Sequence, residues 1–449
     1  LVVALVGLGY FVVPRFEWHA PSVTLKPDTD AIGLSPIEIT VSDSGTGLKS
    51  VGVTLISGSV EHSLATEIFD RPLAEKRLTV ALSSKVTGLK EGPALFRVRA
   101  RDRSWWGFFR GNEKVVEKNV NIDITPPKIE IIADDPYINF GGSGLLVFKT
   151  SEDMVQSGVK IGKHFFPGYK GQLKDPNVVI AFFAHPYDVS EEEKATLVAT
   201  DKAGNSRQLP LSYSLKNVAY KKSKISVSDE FIQNKVAPLL NDVAARQGSP
   251  KEIFIAVNRG LRKENEDKIT KLGEKTANKI LWSGAFSQLS NSKVEANFAD
   301  ARTYFYQEES IDSAYHLGFD LSVTKRYPAE AANSGVVVFV GDLGIYGNAI
   351  ILDHGLGLAT LYAHLSSIDV KEGESVKQRQ IIGRTGETGL AVGDHLHFAT
   401  LLHGVPVLPK EWWDPKWIRD NIEPKLDPFI ETATEPARAA QKTTRTKRR

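Results

Sequence analysis

Between about residues 21 and 215 apolar and polar residues alternate in short runs, such as IEITVSDSGTGLKSVGVTLI at 37–56 and FRVRARDRS at 96–104. Gly, Ser, Asp or Pro bounds each run. Successive side chains of a strand point to opposite faces, so this period predicts antiparallel strands with one face buried. The pattern occurs twice. Ala100-Arg101-Asp102-Arg103 returns as Ala199-Thr200-Asp201-Lys202, each closing a β-rich run. Between the copies lies Asp123-Ile124-Thr125-Pro126-Pro127, whose prolines stiffen the chain and disfavour helix before them, as suits a linker.

Two β-sandwich domains follow from this spacing, over 21–125 and 126–215. The DKAGN stretch at 201–205 resembles bacterial immunoglobulin-like repeats, which implies immunoglobulin-like sandwiches serving as spacers. Over 216–295 the alternation gives way to helical spacing. Ser228 caps one expected helix, with Phe231, Val236, Leu239, Leu240 and Val243 on its apolar face. Ser249-Pro250-Lys251-Glu252 is a capping box for a second, carrying Ile253, Val257 and Leu261. This segment reads as a connector or as a regulatory cover over a neighbouring groove. From 296 to 420 the signal returns to β with many glycines, and strands are expected near 336–340, 348–353 and 358–364. The expected fold is mainly β, with an antiparallel sheet in the C-terminal domain.

Composition narrows the chemistry. Lys plus Arg (56) balance Asp plus Glu (54), which gives no electrostatic case for nucleic acid as a partner. The absence of cysteine excludes disulfides, thiolate metal sites and cysteine nucleophiles. LVVALVGLGYFVV at 1–13 carries no charge, and Phe16 and Trp18 follow it. Residues 1–20 therefore read as a membrane anchor or signal segment. The stretch 421–449, ending in a basic run with few apolar residues, reads as a disordered tail.

Six of the ten histidines lie between 316 and 403. Hydrolytic zinc is held by three N or O ligands with a fourth position open, so three ligands must converge. His395 and His397 share one face of a strand, and His316 and Asp320 can meet around Gly318. His364 closes the YAH element, so five residues can be read as one zinc site. His354 reads as a turn or supporting residue, and His403 as a surface one.

HLGFDLS, YGNAIILDHGLGLATLYAHLSSIDVKEGESV, IIGRTGETG and GDHLHF together resemble the lysostaphin-like, LytM-type zinc metalloendopeptidases that cut peptidoglycan. The resemblance covers about 298–415. It implies that His316, Asp320 and His397 ligate Zn²⁺, while His364 and His395 act on the water and the tetrahedral oxyanion. It implies endopeptidase action on stem-peptide cross-links by direct water attack. The alternative is an inactive LytM-type module that activates a wall amidase. Peptidoglycan stem peptides and envelope regulators become the expected partners. The cell envelope, with an inner-membrane anchor and domains in the periplasm, becomes the expected location. Two departures stand out: Arg379 occupies a position where the family commonly has Gly, and the F-G-x-R element appears only as Phe298-Ala299-Asp300-Ala301-Arg302.

Overall fold

A computed structural model describes residues 12–82, 90–172, 174–426 and 428. Most of the N-terminal apolar run and the basic end of the chain lie outside these residues. No described helix is long and apolar enough to cross a membrane. The chain forms two compact units. One holds residues up to Ile129 with Ser151–Ser157 and Val198–Gln208; the other holds Glu130–Thr150, Gly158–Leu197 and the chain from Leu209 on.

In the first unit, strands Ser22–Lys26, Ile37–Ser42 and Glu75–Val80 make one sheet. Ala31–Ile32, Glu113–Ile122, Gly92–Asp102, Leu48–Ser57 and Val60–Leu73 make another. Their alternating residues, among them Ile39, Val41, Val53, Leu55, Phe96 and Val98, fill one core. The repeated Asp has a structural task here. Buried Asp102 accepts hydrogen bonds from the backbone and side chain of Asn112, and buried Asp201 accepts the same pair from Asn205.

In the second unit Ser143–Thr150 pairs antiparallel with Val178–Ala184, and every residue of the latter is buried. Burial on both faces explains why VVIAFFA is a continuous apolar run rather than an alternating one. Phe182 reaches the ring of Trp412, which is fully buried.

The C-terminal sheet is antiparallel, in the order Lys293–Ala296, Phe319–Ser322, Leu396–Leu402, Leu358–Ala363, Asn348–Gly355, Gly335–Asp342, Ser375–Val376, with Val405–Val407 paired to Leu396–Leu402. Asp300–Tyr306 and Glu309–His316 form a smaller sheet with Lys222–Ser226, whose edge pairing is parallel. Ser249 makes the expected capping box at the start of Pro250–Ile255, which runs through a π-helical stretch, Ala256–Leu261, into Arg262–Gly273. The first expected helix is shorter than its apolar spacing suggests. Pro238 lies in its final turn, the chain is extended at Leu240, and Val243 is left exposed. Ile232, Val236, Ile253, Phe254 and Val257 from these helices share one core with Phe339, Ile351, Leu361 and Leu401 of the sheet. Structure also persists beyond residue 420. Helices Pro415–Asn421 and Glu423–Leu426 bury Ile418, Ile422 and Leu426, so residues 421–426, expected in a tail, are helical and packed.

Candidate metal centre

The site lies where the two sheets of the C-terminal domain meet. Glu309–His316 ends one sheet, and after Leu317-Gly318 the chain enters the other as Phe319–Ser322. His316 and Asp320 therefore reach one point from two sheets. A side chain at Gly318 would put a Cβ 2.7 Å from His397 Nε2 and 2.5 Å from the Phe398 carbonyl, so only glycine permits this crossing. Register sets the third residue: His397 lies opposite Asp320 on one side and Ala363 on the other. Leu396 and Phe398, which alternate with it, are buried in the core.

Three donor atoms converge. His316 Nε2 is 2.9 Å from Asp320 Oδ1 and 3.1 Å from His397 Nδ1, and His397 Nδ1 is 3.0 Å from Asp320 Oδ1. Tetrahedral zinc with bonds of about 2.1 Å sets its donors ~3.4 Å apart, so this triangle matches to within a few tenths of an ångström. His316 Nδ1 donates to the Asn297 carbonyl at 2.9 Å, which turns Nε2 inward toward the other two donors. Two imidazole nitrogens then face each other across 3.1 Å, an arrangement that a cation between them resolves. The donor set fits a zinc ion.

His364 and His395 stand beside the triangle, their rings 4.8 Å apart. Each is held from behind by a backbone carbonyl: His364 Nδ1 donates to Thr388 at 2.8 Å, and His395 Nδ1 to Gly393 at 2.7 Å. Both rings thus present Nε2 to the site, and His395 Nε2 is 3.4 Å from Asp320 Oδ1. His364 lies just past its strand in the left-handed region, at φ 62°, a conformation that costs energy in a non-glycine residue and is common at functional sites.

Burial governs the electrostatics. It pushes His364 down to about 3, helped by neighbouring His395 and His397. It pushes His397 down to about 4 against the attraction of Asp320. Burial opposes ionisation of Asp320, yet the surrounding histidines hold its carboxyl well below the usual range. For His395 the burial penalty is outweighed by Asp320, and its pKa is raised.

All five expected residues are brought together. Arg302, the arginine of the loose F-G-x-R element, reaches Asp320 Oδ2 at 3.4 Å and Asp300 Oδ2 at 3.5 Å. The other two histidines lie away from the centre. His354 is fully buried, bonded to the Ser334 carbonyl and the Thr360 hydroxyl, so it belongs to the core rather than to a turn. His403 is not a free surface residue: its ring stacks on Tyr169 at 5.8 Å and its Nε2 is enclosed. Sequence reasoning did not find Tyr346, whose ring packs 5.4 Å from that of His397, nor the three carbonyls, which carry no side-chain signal. A cavity of about 430 Å³ opens over the site, lined also by Phe231, Phe254 and Arg262 from the helical segment and by Leu390–Gly393.

Residues 314–409 match the family model described as Peptidase family M23. The C-terminal domain is a peptidase family M23 domain. Among similar proteins, the M23 domain is 42% identical over 94 residues to DD-carboxypeptidase/endopeptidase Mpg of Neisseria meningitidis serogroup B, covering 21% of this chain and 22% of that protein. It is 38% identical over 94 residues to peptidoglycan DD-endopeptidase ShyA of Vibrio cholerae, with the same coverage of each. The matches thus span about a fifth of these relatives. The catalytic domain of lysostaphin from Staphylococcus simulans aligns at 29% identity over 27% of this chain and 92% of that one, with a TM-score of 0.24.

Proposed function

We propose that this chain is a zinc-dependent endopeptidase that hydrolyses peptide cross-links of peptidoglycan. The convergence of His316 Nε2, Asp320 Oδ1 and His397 Nδ1 beside two further histidine Nε2 atoms carries the reading. His316, Asp320 and His397 would hold the ion. Bound there, zinc supplies Lewis acidity that polarises a peptide carbonyl and acidifies water. Burial keeps His364 neutral, and its Thr388 bond fixes the tautomer, so its Nε2 lone pair accepts the proton of the attacking water. His395, with its proton favoured, donates from Nε2 to the developing oxyanion and then supplies the leaving amine. Water attacks directly, and no covalent acyl-enzyme forms.

The peptidoglycan substrate rests on the named activities of the two relatives and on a groove large enough for a peptide segment. With that substrate the protein belongs in the cell envelope. Residues 1–20 then act as the membrane anchor or signal segment, and the two sandwiches, read as immunoglobulin-like, act as spacers for the catalytic domain.

The test is release of new amino groups from purified peptidoglycan by the zinc-loaded full chain. His364→Ala and His395→Ala should each lower turnover at least about 100-fold, the scale of a general acid–base contribution, while stoichiometric zinc is retained. His397→Ala should lose the metal. Stoichiometric zinc with no turnover of peptidoglycan in the unmodified chain would sink this reading and favour the amidase-activating module.

A further inference from the structure

The loop that follows the strand Gly92–Asp102 is a cluster of outward aromatic rings. Phe108 is 95% exposed, Phe109 66% and Trp106 46%, and Trp18 and Phe16 beside them are 71% and 41% exposed. Soluble monomers rarely leave so many large rings together in water. The backbone holds them there. Gly107, Phe108 and Phe109 all take positive φ, at 63°, 59° and 66°, a conformation that non-glycine residues adopt only at a cost. The rings form one patch: Trp18 meets Trp106 edge-on at 5.4 Å, and Phe16 meets Trp105 at 5.8 Å.

The charged residues of the loop itself are cationic. RSWWGFFRG at 103–111 contains two arginines and no acid. Arg110 is exposed, and Arg15 lies over the Trp105 ring at 5.4 Å. Of the nearby carboxylates, Glu17 is turned away to the Thr46 backbone N–H and hydroxyl, and Asp43 and Asp102 are buried. The loop is also tied to the start of the chain: Trp105 N–H donates to the Arg15 carbonyl at 2.6 Å, and the Ser104 hydroxyl to the Glu17 carbonyl at 2.7 Å. Arg15 is two residues past the uncharged run LVVALVGLGYFVV.

Trp and Phe with flanking arginine are the side chains that settle at the boundary between headgroups and acyl chains, where a ring finds apolar contact and a cation finds phosphate. We propose that Phe16, Trp18, Trp106, Phe108 and Phe109 dock the first sandwich against a phospholipid bilayer surface. The patch is a contact separate from the apolar run itself. It fixes the end of the sandwich on which the membrane lies.

Because the chain has no cysteine, one introduced thiol labels one site. The full chain is labelled with an environment-sensitive fluorophore at Phe108→Cys, or at Ser59→Cys as a control. Leu48 pairs with Asp102 and Ser57 with Val60, so the control sits at the far end of the same sheet. Each protein is bound to vesicles of phosphatidylcholine with phosphatidylglycerol and no other protein. The label at 108 should be quenched at least twofold by a nitroxide carried shallow in the lipid and shielded from aqueous iodide. The label at 59 should show neither effect. In a second variant Trp106, Phe109 and Trp18, all exposed, are changed to Ser, which should return the label at 108 to iodide. Equal iodide access at 108 and 59 on bound vesicles would overturn the proposal, as would full shielding at 108 after the triple change.

Discussion

At the scale of single residues, the centre was legible because metal chemistry demands particular side chains at particular spacings. His316, Asp320, His364, His395 and His397 all carry that signal, and the structure gathers them. What supports them was not legible, since a carbonyl such as that of Asn297, Thr388 or Gly393 has no side-chain signature. Arg302 is an intermediate case. Its pairing with the outer oxygen of Asp320 leaves Oδ1 for the donor triangle, and Asp300 and Ser223 hold the arrangement from behind. Partners of this kind are worth about 10–100-fold in metal affinity. Arg302→Gln should weaken zinc binding by about 10-fold or more in competition with a chromogenic chelator, and an unchanged affinity would assign Arg302 to the substrate instead. Arg379 answers the departure noted in the sequence. It takes φ 64°, the conformation a glycine would adopt, so the turn is kept and the strain accepted. Its guanidinium contacts Ser290 and Glu330, but such exposed pairs contribute little. Arg379→Gly should raise the stability by about 0.5–1 kcal/mol in a denaturant titration, and a loss would show that those contacts outweigh the backbone.

At the scale of elements, the helical segment is part of the M23 domain's core as well as a wall of its groove. Ile232, Val236, Ile253, Phe254 and Val257 are buried against the sheet, and each such side chain is worth about 1.5–3 kcal/mol. A fragment beginning at residue 296 would expose the face that carries Phe339, Leu361 and Leu401. It should lose its cooperative thermal transition, so removal of the helices lowers activity rather than releasing it. A fragment that unfolds cooperatively near the temperature of the full chain would return the segment to the status of a connector. Ser249→Ala breaks the capping box and should cost about 1 kcal/mol. The strands and this cap were readable because alternation and capping are local. The π-helical stretch at 256–261 was not, since its extra residue per turn answers to the packing of Val257 and Asn258 rather than to local propensity. Val243 was misplaced for a related reason: its periodicity continued past Pro238, and the backbone did not.

At the scale of the second compact unit, the buried sheet formed by Ser143–Thr150 and Val178–Ala184 and the M23 domain share a polar anchor in an apolar seam. Glu411 is buried next to Trp412, accepting from Asn139 Nδ2 and from the Ser143 backbone N–H, each at 2.7 Å. Burial pushes its carboxyl up to about 7 from an ordinary 4.5, against the lowering effect of those bonds, and Asp135 adds to the rise. Asp135 is itself paired to Lys425. A carboxyl raised in the folded state binds its proton more tightly there than in the unfolded chain, so stability falls as pH climbs from about 4.5 to about 7. The loss is complete above the folded value and amounts to about 3 kcal/mol. Glu411→Gln removes the titration, although its amide faces the Ser143 N–H and carries a cost of its own. The slope of stability against pH is therefore the readout. Unmodified protein should lose melting temperature between pH 5 and pH 8, and Glu411→Gln should lose it by markedly less over the same range. Parallel curves would mean that Glu411 is ionised in its seam and that the pH dependence arises elsewhere.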